Sequence, residues 1–337
     1  MADVHLIFAS DQIPDVISVF ENAFQQARLS VETTGIASTW MFDSAYVRRL
    51  RSIIRDTKRS SFTILHPPAE LLLDDADLVV PFSAYRSWYD PQKMRVIPHL
   101  WTPIGFPQAP DQLAWSKKPP LTAGFMGRTF RSSMVCRLAR SAPPAIKRWL
   151  MRGALVRNTA VAALLNEKAG FAAKGYNVFP RLEAVEALEK GELGRLGRVE
   201  IGDRDQFHGT ASELEDYRQH LVRNTYILCP RGTENYSYRV YEALSYGRVP
   251  VIIDTDTVLP DTVDWRDVAL IVPYGDVNRL NEIISEDHIS RSEESFLQRQ
   301  AHAFVATQSM RSLGWLEDIV TLVKQRLNRL TAPTIPG

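Results

Sequence analysis

Arg231, Ser237, Arg239 and Glu242 are spaced so that one short stretch of chain could hold a phosphate group and a polyol side by side. A cation in the first turn of a helix opposes the helix dipole and costs a few tenths of a kcal/mol unless an anion offsets it. Arg239 stands at such a position, which suggests a bound phosphate. Glu242 follows three residues later on the same helical face, where a carboxylate could accept hydrogen bonds from the two vicinal hydroxyls of a ribose. The competing reading is an Arg239 to Glu242 surface pair, which would contribute almost nothing.

The elements needed to position these residues are legible around them. Tyr226 to Cys229 is a short apolar run that stops at Pro230, as a buried parallel strand would. Arg231 and Gly232 then fall at that strand's carboxyl end, where open parallel sheets bind ligands. Asn235 and Ser237 are good helix caps, and Tyr238 to Tyr246 continues as a helix that Gly247 can close in a left-handed conformation. Arg248-Val-Pro-Val-Ile-Ile253 makes the next strand. The helix N-terminus would face the crevice, where free N–H groups favour an anion such as a diphosphate.

This stretch is similar to the signature of the exostosin-like glycosyltransferases. That signature runs from a Cys-Pro-Arg-Gly turn through a Ser-x-Arg-x-x-Glu-Ala-Leu helix to a Gly-x-Val/Ile-Pro-Val-Ile strand, here Cys229 to Gly232, Ser237 to Leu244 and Gly247 to Ile252. The likeness continues through Leu259-Pro260, Asp264-Trp265 and Ile271-Val-Pro273. Upstream, Asp77 to Phe82 and Leu121 to Gly127 resemble weaker landmarks, so the similarity spans roughly residues 77 to 275. The resemblance implies an α/β fold of two Rossmann-like domains facing across a cleft, the GT-B architecture, with a C-terminal helix crossing back to the first domain.

The resemblance also implies an inverting sugar transfer from a nucleotide-diphosphate sugar, a UDP-sugar foremost, to a glycan or lipid-linked glycan of a lipopolysaccharide, capsule or exopolysaccharide. Arg231, Gly232, Ser237, Tyr238, Arg239 and Glu242 would bind the donor, with Gly127, Arg128 and Arg131 as further donor contacts at the end of the Leu121 strand. Direct displacement needs one general base and stabilisation of the departing diphosphate. The base would come from the first domain, where His66, at the end of an expected strand, is the first candidate and Asp90 and His99 follow. Trp88 and Tyr89 could stack on an acceptor sugar, or be core or lid aromatics. Two other functions compete: a fucosyltransferase-like enzyme using a GDP-sugar, and an inactive partner subunit of glycosyltransferase fold. Fucosyltransferases share the Gly-x-Val-Pro-Val strand but carry a Glu-Asn-Ser turn and a helix Lys where Cys-Pro-Arg-Gly and Arg239 stand here.

Composition bounds the rest. The chain has 337 residues, 45% of them hydrophobic, enough for two cores, and its net charge of +1 disfavours a nucleic-acid partner. Its two cysteines, Cys136 and Cys229, give no disulfide framework and fit a reducing compartment. With no run long enough to span a bilayer and no basic leader before Val4, the expectation is an unanchored cytoplasmic enzyme, and the resemblance, whose Golgi members carry an anchor, implies one of bacterial type. Asp254-Thr-Asp256 and Asp203-Arg-Asp205 fit the weak Asp-x-Asp metal pattern, but arginines already supply positive charge, so no metal ion or other cofactor is expected. The seven histidines show no zinc spacing, and there is no Gly-x-Ser-x-Gly elbow or Walker loop.

Organisation follows from periodicity. Strands are expected at Val4 to Ala9, Ser61 to His66, Asp77 to Phe82 and Arg95 to Trp101, with helices at Val16 to Phe24 and Tyr46 to Ile54, giving a first domain over 1–115. A Pro-rich linker at 103–120 leads to a donor domain over 116–310. Helices are expected there near 131–152, 155–169 and 212–222, a strand at 198–201, and a helix over 292–307. The remaining 311–337 should form a helix with the stripe Trp315, Ile319, Val323, Leu327 and Leu330 packing on the first domain. The segment 112–166 holds ten Lys or Arg and no Asp or Glu. With Leu138, Ile146, Trp149, Leu150 and Met151 interleaved, it could rest peripherally on anionic lipid, at about 1 kcal/mol per well-placed basic residue, or be a solvated face.

Overall fold

The computed structural model describes residues 2–8, 14–35, 44–66, 76–100, 104–107, 109–151, 178–193, 197–203, 209–232 and 235–331. The expected helix at 155–169 and the Asp205 half of one acidic pair lie outside these residues.

β1 (Val4–Phe8) is buried along its whole length because both of its faces are covered. Val4, Leu6 and Phe8 meet α1 (Pro14–Gln26), which turns Val16, Phe20 and Phe24 inward at helical spacing. Ile7 points the other way, toward Leu50 and Ile54 of α2 (Ser44–Thr57). β2 (Val31–Gly35), β3 (Phe62–His66) and β4 (Leu78–Val79) complete a parallel sheet of order β2-β1-β3-β4. The expected strand at 95–101 is not formed. Residues 95–100 run beside β4, with Arg95 N–H donating to Val79 O at 2.9 Å and Ile97 N–H to Pro81 O at 3.0 Å, without forming a regular strand.

β5 (Ala84–Tyr85) leaves this sheet, and β6 (Thr122–Gly127) opens the second one. α3 (Met134–Ser141) and α4 (Pro144–Met151) form where one helix over 131–152 was expected, because Ala142 and Pro143 interrupt it. α5 (Phe179–Lys190), β7 (Arg198–Asp203), α6 (Ala211–Arg223) and β8 (Tyr226–Leu228) follow. Thr210 and Glu213 close a capping box at the start of α6. α7 (Arg239–Ser245) and β9 (Val249–Asp254) lead to β10 (Thr257–Val258), α8 (Trp265–Val268) and β11 (Leu270–Pro273). This second sheet is also parallel, in the order β11-β9-β8-β6-β7. Gly247 takes φ +66° to turn α7 into β9, and a Cβ there would meet Phe304 at 2.6 Å.

α9 (Leu280–Ser290) and α10 (Glu293–Arg311) pack on the second sheet, and α11 (Gly314–Thr331) returns to the first. Trp315, Leu316, Ile319, Val320 and Val323 share one core with Phe8 and Phe20, so the C-terminal helix crosses back as expected. Of its stripe, Leu327 is partly buried and Leu330 is 75% exposed. Two α/β units with parallel sheets are thus joined by this helix and by β5, which pairs antiparallel with β10.

Candidate functional site

At the carboxyl ends of β6 and β8 the second unit gathers three buried arginines. Arg239 opens α7 and donates from Nε to Met126 O at 3.0 Å, with its guanidinium 5.1 Å from the Phe125 ring centre. Gly127 makes room for it, since a Cβ there would lie 2.0 Å from Arg239 Nη2. Arg231 donates to Met151 O at 3.2 Å and to the Tyr85 hydroxyl of the first unit at 2.9 Å. Arg181, on the buried side of α5, donates to Arg231 O and Arg128 O, each at 3.0 Å. Arg231, Arg239 and Arg181 are 2%, 6% and 8% exposed.

Arg181 and Arg239 thus spend their described bonds on neutral carbonyls. Burial, and then the neighbouring charges of Arg239 and Arg231, pull the Arg181 pKa down to about 9. Like charges crowded away from water are costly unless an anion joins them. Arg181 is the residue that sequence reasoning missed. Its signal was available, because Phe179, Leu182, Val185 and Leu188 form an apolar stripe on which a cation is out of place.

Glu242 lies under this cluster at 1% exposure and accepts from the Tyr217 hydroxyl at 2.6 Å, while its Oε1 has no hydrogen-bond partner among the described residues. Burial pushes its carboxyl up to about 7 against the pull of Tyr217 and Arg239. A surface Arg239 to Glu242 pair is therefore excluded, for neither side chain is at the surface.

The expected caps are corrected. α7 starts after Tyr238, which is itself helical at φ −62°, so no extended cap residue is present. Ser237 is buried and its hydroxyl has no partner among the described residues. Asn235 instead ties loops together: its amide donates to Ala84 O and Asp256 O, both at 3.3 Å, and accepts from Thr255 at 2.7 Å. Gly232 closes the intervening loop by donating to Tyr236 O at 2.8 Å. The remaining donor candidates separate. Arg128 is exposed, 4.6 Å over the Phe130 ring, beside the cluster, whereas Arg131 bonds Glu189 at 2.6 Å.

The first unit presents rings across the seam. His66, Phe82 and His99 meet edge to face with ring centres 4.7 and 4.4 Å apart in turn, and His99 meets two rings of the second unit's arginine loop, Tyr236 at 5.4 Å and Tyr238 at 6.3 Å. Burial lowers both histidines to about 4, so both are neutral near pH 7. His66 is held through Nδ1 by Val80 O deep in the core, while His99 is half-buried next to the arginine loop. Asp90 does not join them: its carboxylate accepts from Gln92 N–H at 2.8 Å and shapes a turn. Trp88 stacks at 4.9 Å on Tyr85, the ring that receives Arg231, whereas Tyr89 donates to Met94 O and packs in the core of the first unit.

Beside the arginines opens a cleft of about 880 Å³ at the ends of β9 and β11, reached at Met151 and bordered by Arg86, Lys147, Glu183, Asp254 and Tyr274. Asp254 and Asp256, the pair with the Asp-x-Asp pattern, are engaged across the seam. Asp254 pairs with Arg86 at 3.1 Å, and Asp256 accepts from the Ser87 N–H and hydroxyl at 3.1 and 2.6 Å. Among the described residues no group of three or more His, Cys, Asp or Glu side chains could hold a metal ion, and no helix is long and apolar enough to cross a membrane. Both cysteines are buried free thiols, their pKa values raised by burial.

Residues 191–286 match the Exostosin GT47 domain. That segment is exostosin-like. It contains β8, α7 and β9 and hence Arg231, Arg239 and Glu242; Arg181 and Gly127 precede it. A probable glucuronoxylan glucuronosyltransferase of Arabidopsis thaliana is 33% identical over 104 residues, 30% of this chain and 22% of that protein. The Exostosin-1 homolog of Caenorhabditis elegans is 28% identical over 129 residues, 37% of this chain and 33% of that protein. The chain thus spans about a fifth to a third of these curated relatives. Among solved structures, a UDP-forming alpha,alpha-trehalose-phosphate synthase from Burkholderia vietnamiensis aligns over 99% of both chains at 8% identity and a TM-score of 0.48.

Proposed function

We propose that the chain is a glycosyltransferase that takes a nucleoside-diphosphate sugar, a UDP-sugar foremost, and passes the sugar with inversion to a glycan acceptor of a surface polysaccharide. The observation that carries this reading is the trio of Arg181, Arg231 and Arg239 gathered where two parallel strands end. Such a field stabilises the diphosphate as it departs, which is the main electrostatic demand of the reaction. Glu242, with one oxygen unpartnered, suits the ribose hydroxyls. His99, neutral at pH 7 and adjacent to Tyr238, is the base favoured over His66 and Asp90. No metal ion is needed in this scheme, because the arginines supply the positive charge.

The test is a thermal shift panel of UDP, GDP, CMP and their common sugar conjugates, including UDP-glucuronic acid because the plant relatives are named as glucuronosyltransferases. A ligand at a hundred times its Kd stabilises by about 2.7 kcal/mol, well within reach of a melt. A shift with UDP and its sugars that disappears in Arg231→Ala supports the proposal. A shift with GDP alone transfers it to the GDP-sugar class, and no shift with any nucleotide leaves the inactive partner-subunit reading in its place.

A further inference from the structure

We infer that the outer face of α3 and α4 is a docking surface for an anionic phospholipid bilayer. Among the described residues nine large hydrophobic side chains are exposed, and four of them lie in this one pair of helices: Met134 at 66%, Leu138 at 65%, Ile146 at 48% and Trp149 at 49%. The other five are scattered singly over five separate elements, as on any soluble surface. Clustering of this kind marks an interaction site. The helices are held firmly enough to present it. Cys136, Ala139, Leu150 and Met151 turn inward onto Phe179 and Leu182, so the opposite sides face out.

Charge identifies the occupant. Arg131, Arg140 and Lys147 are neutralised by Glu189, Glu186 and Glu183 of α5, on the inner side of the pair. Arg137, beside Met134 and Leu138, and Arg148, beside Trp149 on the flank of α4 that borders the cleft, make no ion pair among the described residues and are exposed. A face that offers aliphatic side chains, one tryptophan and uncompensated arginines matches the boundary between acyl chains and anionic headgroups, where the aromatic ring and the basic side chains both find partners. A nucleic acid would leave the four apolar groups unused, and a chain of net charge +1 offers no wider basic field for one.

The experiment is co-sedimentation of the full chain with vesicles of phosphatidylcholine plus phosphatidylglycerol, against vesicles of phosphatidylcholine alone, at low and high salt. The chain should pellet only with the anionic vesicles and be released by salt. Leu138→Asp and the double variant Arg137→Glu with Arg148→Glu should each abolish pelleting while leaving the melting temperature unchanged, since all three side chains are exposed. Equal pelleting with neutral vesicles, or pelleting that survives both variants, overturns the inference. So does failure to pellet with a dimer in light scattering that Leu138→Asp dissociates, which would assign the face to a second copy of the chain.

Discussion

Across the seam between the two sheets, the second unit contributes buried charge and the first contributes neutral rings. Arg181, Arg231, Arg239 and Glu242 are buried near the strand ends, whereas His66, Phe82 and His99 pack edge to face and the two histidines lose their charge to burial. The first arrangement costs stability and is understandable where a ligand offsets it; the second is stable by itself. On the proposed function the strain would be concentrated on the donor side, and the acceptor side would need only one well-placed atom, for which the half-buried His99 is the candidate.

The sharpest way to break this contrast is to substitute the two histidines separately. His99→Ala should lower turnover by about 10²- to 10⁴-fold while nucleotide binding is kept, as expected for loss of a general base. His66→Ala should instead lower stability by about 3 kcal/mol, because it empties a core position and strands the Val80 carbonyl. Turnover measurements beside thermal melts separate the two outcomes. Full activity in His99→Ala would return the base to another residue. On the charged side, Arg231→Ala or Arg239→Ala should weaken UDP on the order of 10²-fold or more by calorimetry, in line with truncating a buried charge that binds a charge. Arg181→Met should weaken UDP similarly but leave the free protein as stable as before, since it relieves the crowding of like charges.

The contrast also explains what could be read in the chain. The strand-loop-helix-strand from Tyr226 to Asp254 follows local rules of burial, glycine and proline, and nearly every boundary falls within two residues of expectation. Arg231, Arg239 and Glu242 were legible because they lie within twelve positions of each other in that unit. Arg181 is marked in the sequence only as a cation on an apolar helix stripe; its place in the cluster is not legible there, since it reaches the same spot from α5 fifty residues away, through bonds to carbonyls that any sequence possesses. His99 and Trp88 could be named only as candidates, because what brings them to the seam is ring packing between distant elements. The capping roles given to Asn235 and Ser237 fitted the local pattern, but tertiary bonds to Ala84 and Asp256 claimed Asn235 instead.

Acid and base should move the two sides in opposite directions. Glu242 holds its proton to about pH 7 in the folded chain, against an ordinary value of 4.5, so the folded state binds the extra proton in between and stability falls as pH rises through that window. The loss is roughly 3 kcal/mol at pH 8, and Glu242→Gln, which can still accept from Tyr217, should remove it. The same variant should weaken nucleoside diphosphates but leave inorganic pyrophosphate unaffected. His66 has the reverse sign: with its pKa lowered from 6.5 to about 4, the unfolded chain takes up the proton first, and stability falls as pH drops from about 6.5 to 4. Denaturant melts across pH 4 to 8 on both single variants would resolve the two slopes. A Glu242→Gln protein with an unchanged slope above pH 5 would show that the carboxyl is ionised in the folded state.

The smallest effect is expected at the acidic pair on the seam itself. Asp254 and Asp256 accept from Arg86, from Ser87 and from the N–H groups of Asp256 and Thr257, so they fasten the two units together. These bonds are partly exposed, and Asp256→Ala should cost only about 1 kcal/mol in a thermal melt. If arginine meets the charge on the leaving diphosphate, as proposed, chelation with EDTA should leave turnover unchanged. A loss of turnover on chelation that magnesium restores, and that Asp256→Ala reproduces, would move the electrostatic work from the arginine cluster to the seam and reverse the division between the two sides.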